Sequence, residues 1–187
     1  PTSFITRSVA GRALLMNRDR HGALHVFHNA CSHRGALVSR ERSGARRAFQ
    51  CPYHGWVYDD RGVLFDVPGR EAMAPGLIED GSMNLKPVAH VAEHRGFVFV
   101  NFDPHARLSL KEYLAGAADV LDIVADQGGD GMEVVGGMQE YSLAANWKLL
   151  QENSADGYHA AVTHSTYFDY VHSRDGVRTD IDPVAAR

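Results

Sequence analysis

The sequence predicts an α+β chain: an antiparallel β domain over residues 1–105, followed by a segment over 106–187 richer in helix. Short apolar runs punctuated by Gly, Pro and Asn/Asp turns fill the first part, and helical spacing replaces them after Asp103-Pro104. The composition, 44% hydrophobic and 22% charged over 187 residues, is that of a globular protein able to bury a core without disulfide staples. No apolar run approaches the ~20 residues of a membrane helix. The net charge of −4 leaves no basic footprint for nucleic acid. The Arg-rich stretch from Arg40 to Arg47 is broken by Glu41 and Gly44 and reads as a solvated loop. Residue 1 is Pro, nothing there resembles a signal peptide, and the last residues form no closing element. The expectation is a piece of a longer, cytoplasmic protein.

Taken in order, Leu14-Leu15-Met16 is a strand ending at the turn signal from Asn17 to Gly22. Ala23 to His28 alternates apolar and polar, as a half-buried strand does. Trp56-Val57-Tyr58 and Val63-Leu64-Phe65 flank Asp59-Asp60-Arg61-Gly62, a hairpin with Gly supplying the turn. Val88–Val91 and Gly96–Phe102 are further strands. A helix runs from Leu110 to Val124, with Ser109 and Glu112 forming a capping box. Gln127 to Gly131 ends it. Met132–Leu143 reads as a strand with a bulge at Gly136-Gly137, and helix resumes at Asn146.

Two cysteines and eleven histidines shift attention from fold to chemistry. Cys31-Ser32-His33-Arg34-Gly35 and Cys51-Pro52-Tyr53-His54-Gly55-Trp56 form a C-x-H…C-x2-H pattern. Two thiolates and two imidazoles fit tetrahedral zinc. They also fit a Rieske [2Fe-2S] cluster, in which two Cys hold one iron and two His the other. Zinc fingers commonly keep Cys with Cys and His with His, whereas each loop here holds one of each. Two such loops, converging, can send both Cys to one iron and both His to the other.

These loops resemble the cluster-binding loops of Rieske proteins, and more narrowly those of ring-hydroxylating oxygenase large (alpha) subunits. With no cysteines left over to bridge the loops, the chain resembles the lower-potential oxygenase type rather than the respiratory one. The resemblance implies that Cys31, His33, Cys51 and His54 bind the cluster, and that residues 106–187 begin a mixed α/β, helix-grip-like catalytic domain.

A second dense segment runs from Asn146 to His164. On a continuous helix Glu152, Asp156 and His159 share one face. His164, five residues beyond His159, leaves that face unless the helix ends or distorts between them. The β-branched pair Val162-Thr163 favours such a distortion. Glu152-Asn153-x2-Asp156-x2-His159-x4-His164 is similar to the mononuclear-iron motif of the same alpha subunits. By that match His159 and His164 belong to a 2-His-1-carboxylate iron(II) site. By the same resemblance Asp156 matches the aspartate that joins the Rieske site of one subunit to the iron of its neighbour, and Asn153 and Ser154 fall where the family's motif begins to line the substrate pocket. The carboxylate ligand is expected beyond residue 187; nothing matches Asp169 or Asp175 to it. Of the remaining histidines, His21 sits in a turn, His25 and His28 lie on a strand before the first loop, and none of these or of His90, His94, His105 and His172 is assigned to a metal.

The resemblance further implies an oxygenase component fed by a ferredoxin or reductase with NADH-derived electrons. It would act with O2 on an aromatic substrate, within a trimer of alpha subunits with or without beta subunits. A Rieske monooxygenase or demethylase is the near alternative. A stand-alone Rieske electron carrier would leave His159 and His164 idle, and a zinc-stabilised binding module is a third reading.

Overall fold

A computed structural model describes residues 2–129, 131–133, 135 and 140–175. Its contacts divide the chain into two compact units, Pro1–Glu133 and Val134–Arg187.

The first unit opens with β1 (Ser3–Val9), β2 (Arg12–Arg18), β3 (Leu24–His28) and the short β4 (Ser43–Gly44), in one sheet of order β3-β2-β1-β4. β2 is one of the two inner strands, and from Leu14 to Asn17 it is buried on both faces. Leu15 joins Phe4, Phe27, Phe49, Trp56, Tyr58 and Leu64 in the larger core cluster, while Leu14 and Met16 point the other way, to Val26 and Val88. Adjacent residues facing opposite sides is the period-two pleat at work. Full burial of each large side chain contributes about 1.5–3 kcal/mol.

A second sheet, β5 (Ala48–Gln50), β6 (Val57–Asp59) and β7 (Leu64–Asp66), supplies much of the larger cluster. The β6–β7 hairpin is the one expected from sequence. The Asp59 carboxylate accepts the N–H groups of Arg61 and Val63, each at 2.8 Å, and Gly62 takes the left-handed φ of +76°. Gly62 also lies against the Phe27 ring, where a Cβ would stand 2.5 Å from the nearest ring atom. Gly62→Ala therefore combines backbone strain of about 1–2 kcal/mol with overpacking of about 1–3 kcal/mol. A loss of roughly 2–4 kcal/mol in urea unfolding is expected; an unchanged midpoint would show that the ring moves aside freely.

β8 (His90–His94) and β9 (Phe97–Asn101) form a separate hairpin. Val88, expected in the first of these strands, precedes it; its N–H is donated to the Val26 carbonyl and it packs in the smaller cluster. The expected capping box is present: Glu112 N–H reaches Ser109 Oγ, and Ser109 N–H reaches the Glu112 carboxylate. The expected single helix is instead two, α1 (Leu110–Leu114) and α2 (Ala117–Ala125). Ala115 takes a φ of +45° and Gly116 follows, so the chain turns where apolar spacing alone continues. Asp122 of α2 pairs with His94 at 3.0 Å, and Arg95 with Asp122 and Asp126, tying α2 to the β8–β9 turn. No described helix is long and apolar enough to cross a membrane.

The second unit contains α3 (Trp147–Ala155), α4 (Ala160–Thr163) and α5 (Ser165–Asp175). Of the expected strand over 132–143, the Gly136-Gly137 bulge lies outside the described residues. The described residues on either side, Met132, Glu133, Val135 and Glu140–Leu143, are not in a strand.

Candidate metal centres

The two Cys/His loops are built alike. In the first, Cys31 N–H bonds the Ala36 carbonyl at 2.8 Å and Gly35 N–H returns to the Cys31 carbonyl at 2.8 Å. In the second, Cys51 N–H bonds the Trp56 carbonyl at 2.8 Å and Gly55 N–H the Cys51 carbonyl at 3.0 Å. Both closures need a residue four after the cysteine in the left-handed region, and Gly35 and Gly55 hold φ of +71° and +74°. The base of the first loop is held by Asn29, whose side chain accepts the N–H groups of Val38 and Ser39 and donates to the Ser39 carbonyl.

The expected ligands are paired by type: Cys31 and Cys51 share one buried cluster, and the His33 and His54 rings meet across the two loops. Cys31 and Cys51 are free thiols, buried at 3% and 1% exposure. His33 and His54 meet edge to face, ring centroids 4.5 Å apart, with His33 exposed and His54 half-buried. His33 stacks on the buried Trp56 at 4.8 Å, and Tyr53 lies 3.8 Å from His54. A pair of buried thiols and a separate pair of imidazoles fit a diiron cluster whose two irons take unlike ligands. Burial pushes the Cys31 thiol up, and burial, then His33 and Arg34, hold the His54 imidazole below its ordinary value.

One residue of this site escaped the sequence reading. Tyr58 on β6 is fully buried, and its hydroxyl lies 3.2 Å from Cys31 Sγ while accepting Ser32 N–H at 3.1 Å. With one lone pair occupied by Ser32, its own hydrogen is available to the sulfur. Burial first, then the Cys31 side chain, push the phenol pKa up, so it stays a donor. A hydrogen bond to a ligating sulfur favours the reduced, more negative cluster. Tyr58→Phe removes about 1–2 kcal/mol of that preference, a fall of roughly 45–90 mV in midpoint potential for one electron. Redox titration of the holoprotein checks it; an unchanged potential would leave Tyr58 as packing alone.

The second constellation differs from a continuous helix. α3 is capped by Asn146, whose side chain accepts Lys148 N–H at 3.0 Å, and it ends at Ala155. Asp156 is extended (φ −80°, ψ 111°), so Glu152, Asp156 and His159 do not share one helical face. Asp156 Oδ1 accepts Tyr158 N–H at 2.7 Å, making an Asx turn through Gly157 that competes with the helix. Its Oδ2 bonds His159 Nδ1 at 2.8 Å. A further break falls at His164, the C-cap of α4, after Val162-Thr163. His159 and His164 cap the two ends of the single-turn α4, and their rings lie 5.3 Å apart between centroids. The His159 contact, then Tyr158 N–H, holds the Asp156 carboxyl below its ordinary value, so it is ionised at neutral pH. His159 donating from Nδ1 leaves Nε2 available for a metal, the orientation a ligating histidine takes when a carboxylate steadies its other nitrogen. Asn153 lines a hollow with Tyr141, Leu143 and Trp147, while the Ser154 hydroxyl is bonded to the Leu150 carbonyl at 2.9 Å. Among the described residues, no three Cys, His, Asp or Glu side chains group around a single ion.

Residues 1–92 match the family model of the Rieske [2Fe-2S] domain, and residues 110–184 that of the ring hydroxylating alpha subunit catalytic domain. The chain belongs to the ring-hydroxylating alpha subunits. It is 40% identical over 179 residues to the anthranilate 1,2-dioxygenase large subunit of Acinetobacter baylyi, covering 93% of this chain and 37% of that one. It is 38% identical to the toluate 1,2-dioxygenase alpha subunit of Pseudomonas putida, covering 88% and 36%. Among solved structures, naphthalene 1,2-dioxygenase from Rhodococcus sp. bound to indole matches with a TM-score of 0.76 and 36% identity, covering 89% of this chain and 38% of that one. The alpha-subunit chain described here thus spans somewhat over a third of the length of these relatives. Membership implies two cofactors, a Rieske cluster and a mononuclear iron.

Proposed function

We propose that this chain is the electron-accepting part and the first part of the iron site of an oxygenase that hydroxylates an aromatic compound with O2. One observation carries the reading: paired thiols and paired imidazoles in twin loops, on the same chain as two adjacent histidines of which one is braced by a carboxylate. Cys31 and Cys51 would hold one iron of the cluster, His33 and His54 the other. His159 and His164 would hold the mononuclear iron(II), with the third, carboxylate ligand beyond residue 187. When bound, the cluster supplies single electrons and the iron(II) a site where O2 is activated.

The chain's own residues do the rest. Trp56 and Tyr53 fix the planes of His33 and His54. Tyr58 stabilises charge on Cys31. Asp156 orients His159 and offers a fixed anion for contact with the Rieske histidine of an adjacent subunit. Asn153 and Ser154 stand at the edge of the substrate pocket. We place the Rieske domain at residues 1–105 and the start of the catalytic domain at 106–187. In this reading the assembly is a trimer of alpha subunits, with or without beta subunits. It works in the cytoplasm with a ferredoxin or reductase, and dihydroxylation is favoured over monooxygenation because the relatives named above are dioxygenases.

Reconstitution with iron and sulfide tests the first half of this. The protein is expected to turn red-brown and to give a Rieske-type electron paramagnetic resonance signal when reduced. A colourless protein carrying stoichiometric zinc would overturn the cluster reading.

A further inference from the structure

Charge is divided unevenly along this chain. Residues 1–58, which contain both cluster loops and Tyr58, carry nine arginines against two acids, Asp19 and Glu41. The other 129 residues carry ten basic side chains against 21 acidic ones. Neither acid of the first stretch offsets its surroundings freely. Asp19 is buried and bonded to His25 at 3.0 Å, and Glu41 is paired with Arg46. Arg40, Arg42, Arg46 and Arg47 are all exposed and concentrate on β4 and its flanks, the edge of the first sheet. The edge is firmly built. Thr6 N–H bonds the Arg42 carbonyl at 2.9 Å, the Thr6 hydroxyl bonds the Glu41 carbonyl, and the Arg46 guanidinium lies over the Phe4 ring.

This edge is also the connection between the two cluster loops. Arg40 follows Ser39, the residue that Asn29 holds at the base of the first loop. Arg47 is four residues before Cys51, at most ~14 Å of chain. Arg34 lies inside the first loop itself.

We propose that the Arg40–Arg47 edge is the docking surface for an acidic, iron–sulfur electron-donor protein that reduces the cluster. A basic face on an otherwise acidic chain both attracts such a partner and turns it, because like charge repels it elsewhere. The docked step is the transfer of one electron from the reduced partner to the oxidised cluster, with no bond made or broken. The inference rests on the cluster reading above.

The test uses the full-length holoprotein and, as probe, a reduced acidic [2Fe-2S] ferredoxin in stopped flow. The variant Arg40→Glu/Arg42→Glu/Arg47→Glu is expected to be reduced at least tenfold more slowly at low salt, with a flattened dependence on ionic strength. Reduction by photoreduced deazaflavin, a small neutral reductant, is expected to be unchanged. The same change in net charge at Arg61, Arg107 and Lys111 is expected to leave the ferredoxin rate within a factor of about three. The milder Arg→Gln version at positions 40, 42 and 47 keeps the test available if the charge reversal does not fold. A wild-type rate and salt dependence in the edge variants would overturn the proposal, as would equal slowing by the substitutions at Arg61, Arg107 and Lys111, or equally slowed reduction by deazaflavin. If wild-type protein formed no cluster at all, the cluster reading itself would have failed, and the visible spectrum reports that separately.

Discussion

Replacing His54 by Ala in the full-length protein is expected to erase the Rieske-type absorption and paramagnetic signals and reduce turnover to background, while ferrous iron still binds at His159 and His164. His33→Ala is expected to do the same. The two rings are neighbours at 4.5 Å and neither has a second histidine within its loop to replace it. A metal ligand that is lost leaves an open position, and a cluster held by four protein ligands does not tolerate one. His159→Ala is expected to behave in the opposite way, keeping the visible spectrum while abolishing product formation. Metal analysis beside the spectrum reads both sites at once. A His159→Ala protein without the cluster spectrum would show that the histidines have been divided wrongly between the two centres.

Asp156→Asn is expected to slow electron transfer between the centres by at least a hundredfold while both metals stay bound at saturating iron. The carboxylate uses both oxygens, one on Tyr158 N–H and one on His159 Nδ1. An amide has only one acceptor oxygen. If it keeps the turn with Tyr158, its NH2 faces His159 Nδ1, which must then accept, and the ring proton moves to Nε2, where the metal should bind. If it keeps His159, the turn loses a hydrogen bond worth about 1 kcal/mol. Weaker iron binding by some 10–100-fold is therefore expected as well, overcome by adding iron. The loss of fixed negative charge is not overcome in that way. Single-turnover reoxidation of the reduced cluster, with substrate and O2, separates the two effects. Reoxidation at the wild-type rate would leave Asp156 as a turn residue only.

The cluster loops were legible because their chemistry is local. A cysteine, a histidine and a glycine within five residues specify both the proposed ligands and the backbone that presents them, and the structure closes each loop through that glycine. Tyr58 was not legible, because its contact with Cys31 spans 27 residues and depends on how β6 packs; in sequence it is one more aromatic on a strand. The break before His159 is hidden in the sequence for a different reason. Apolar and polar spacing favours helix through the segment, but Asp156-Gly157 is also a turn signal, and the Asx bond to Tyr158 decides between them. Ala115-Gly116 carried a similar signal in the first unit. The arginines between the loops read, in sequence, as a solvated loop. Only the strand pairing shows that they form one edge joined to both loops.

Cys31 and Cys51 belong to the same buried cluster as Phe49, Trp56 and Leu64, whereas His33 is exposed. In the folded chain the thiols are closed off from a carrier that would hand over iron and sulfide, so delivery requires the twin loops to open or the second sheet to be still unformed. The histidine side of the site is open to solvent and imposes no such condition. Cluster insertion is thereby tied to the late steps of folding. A thiol-alkylating reagent added to the metal-free protein would report the same event, since it reacts only as fast as those loops open.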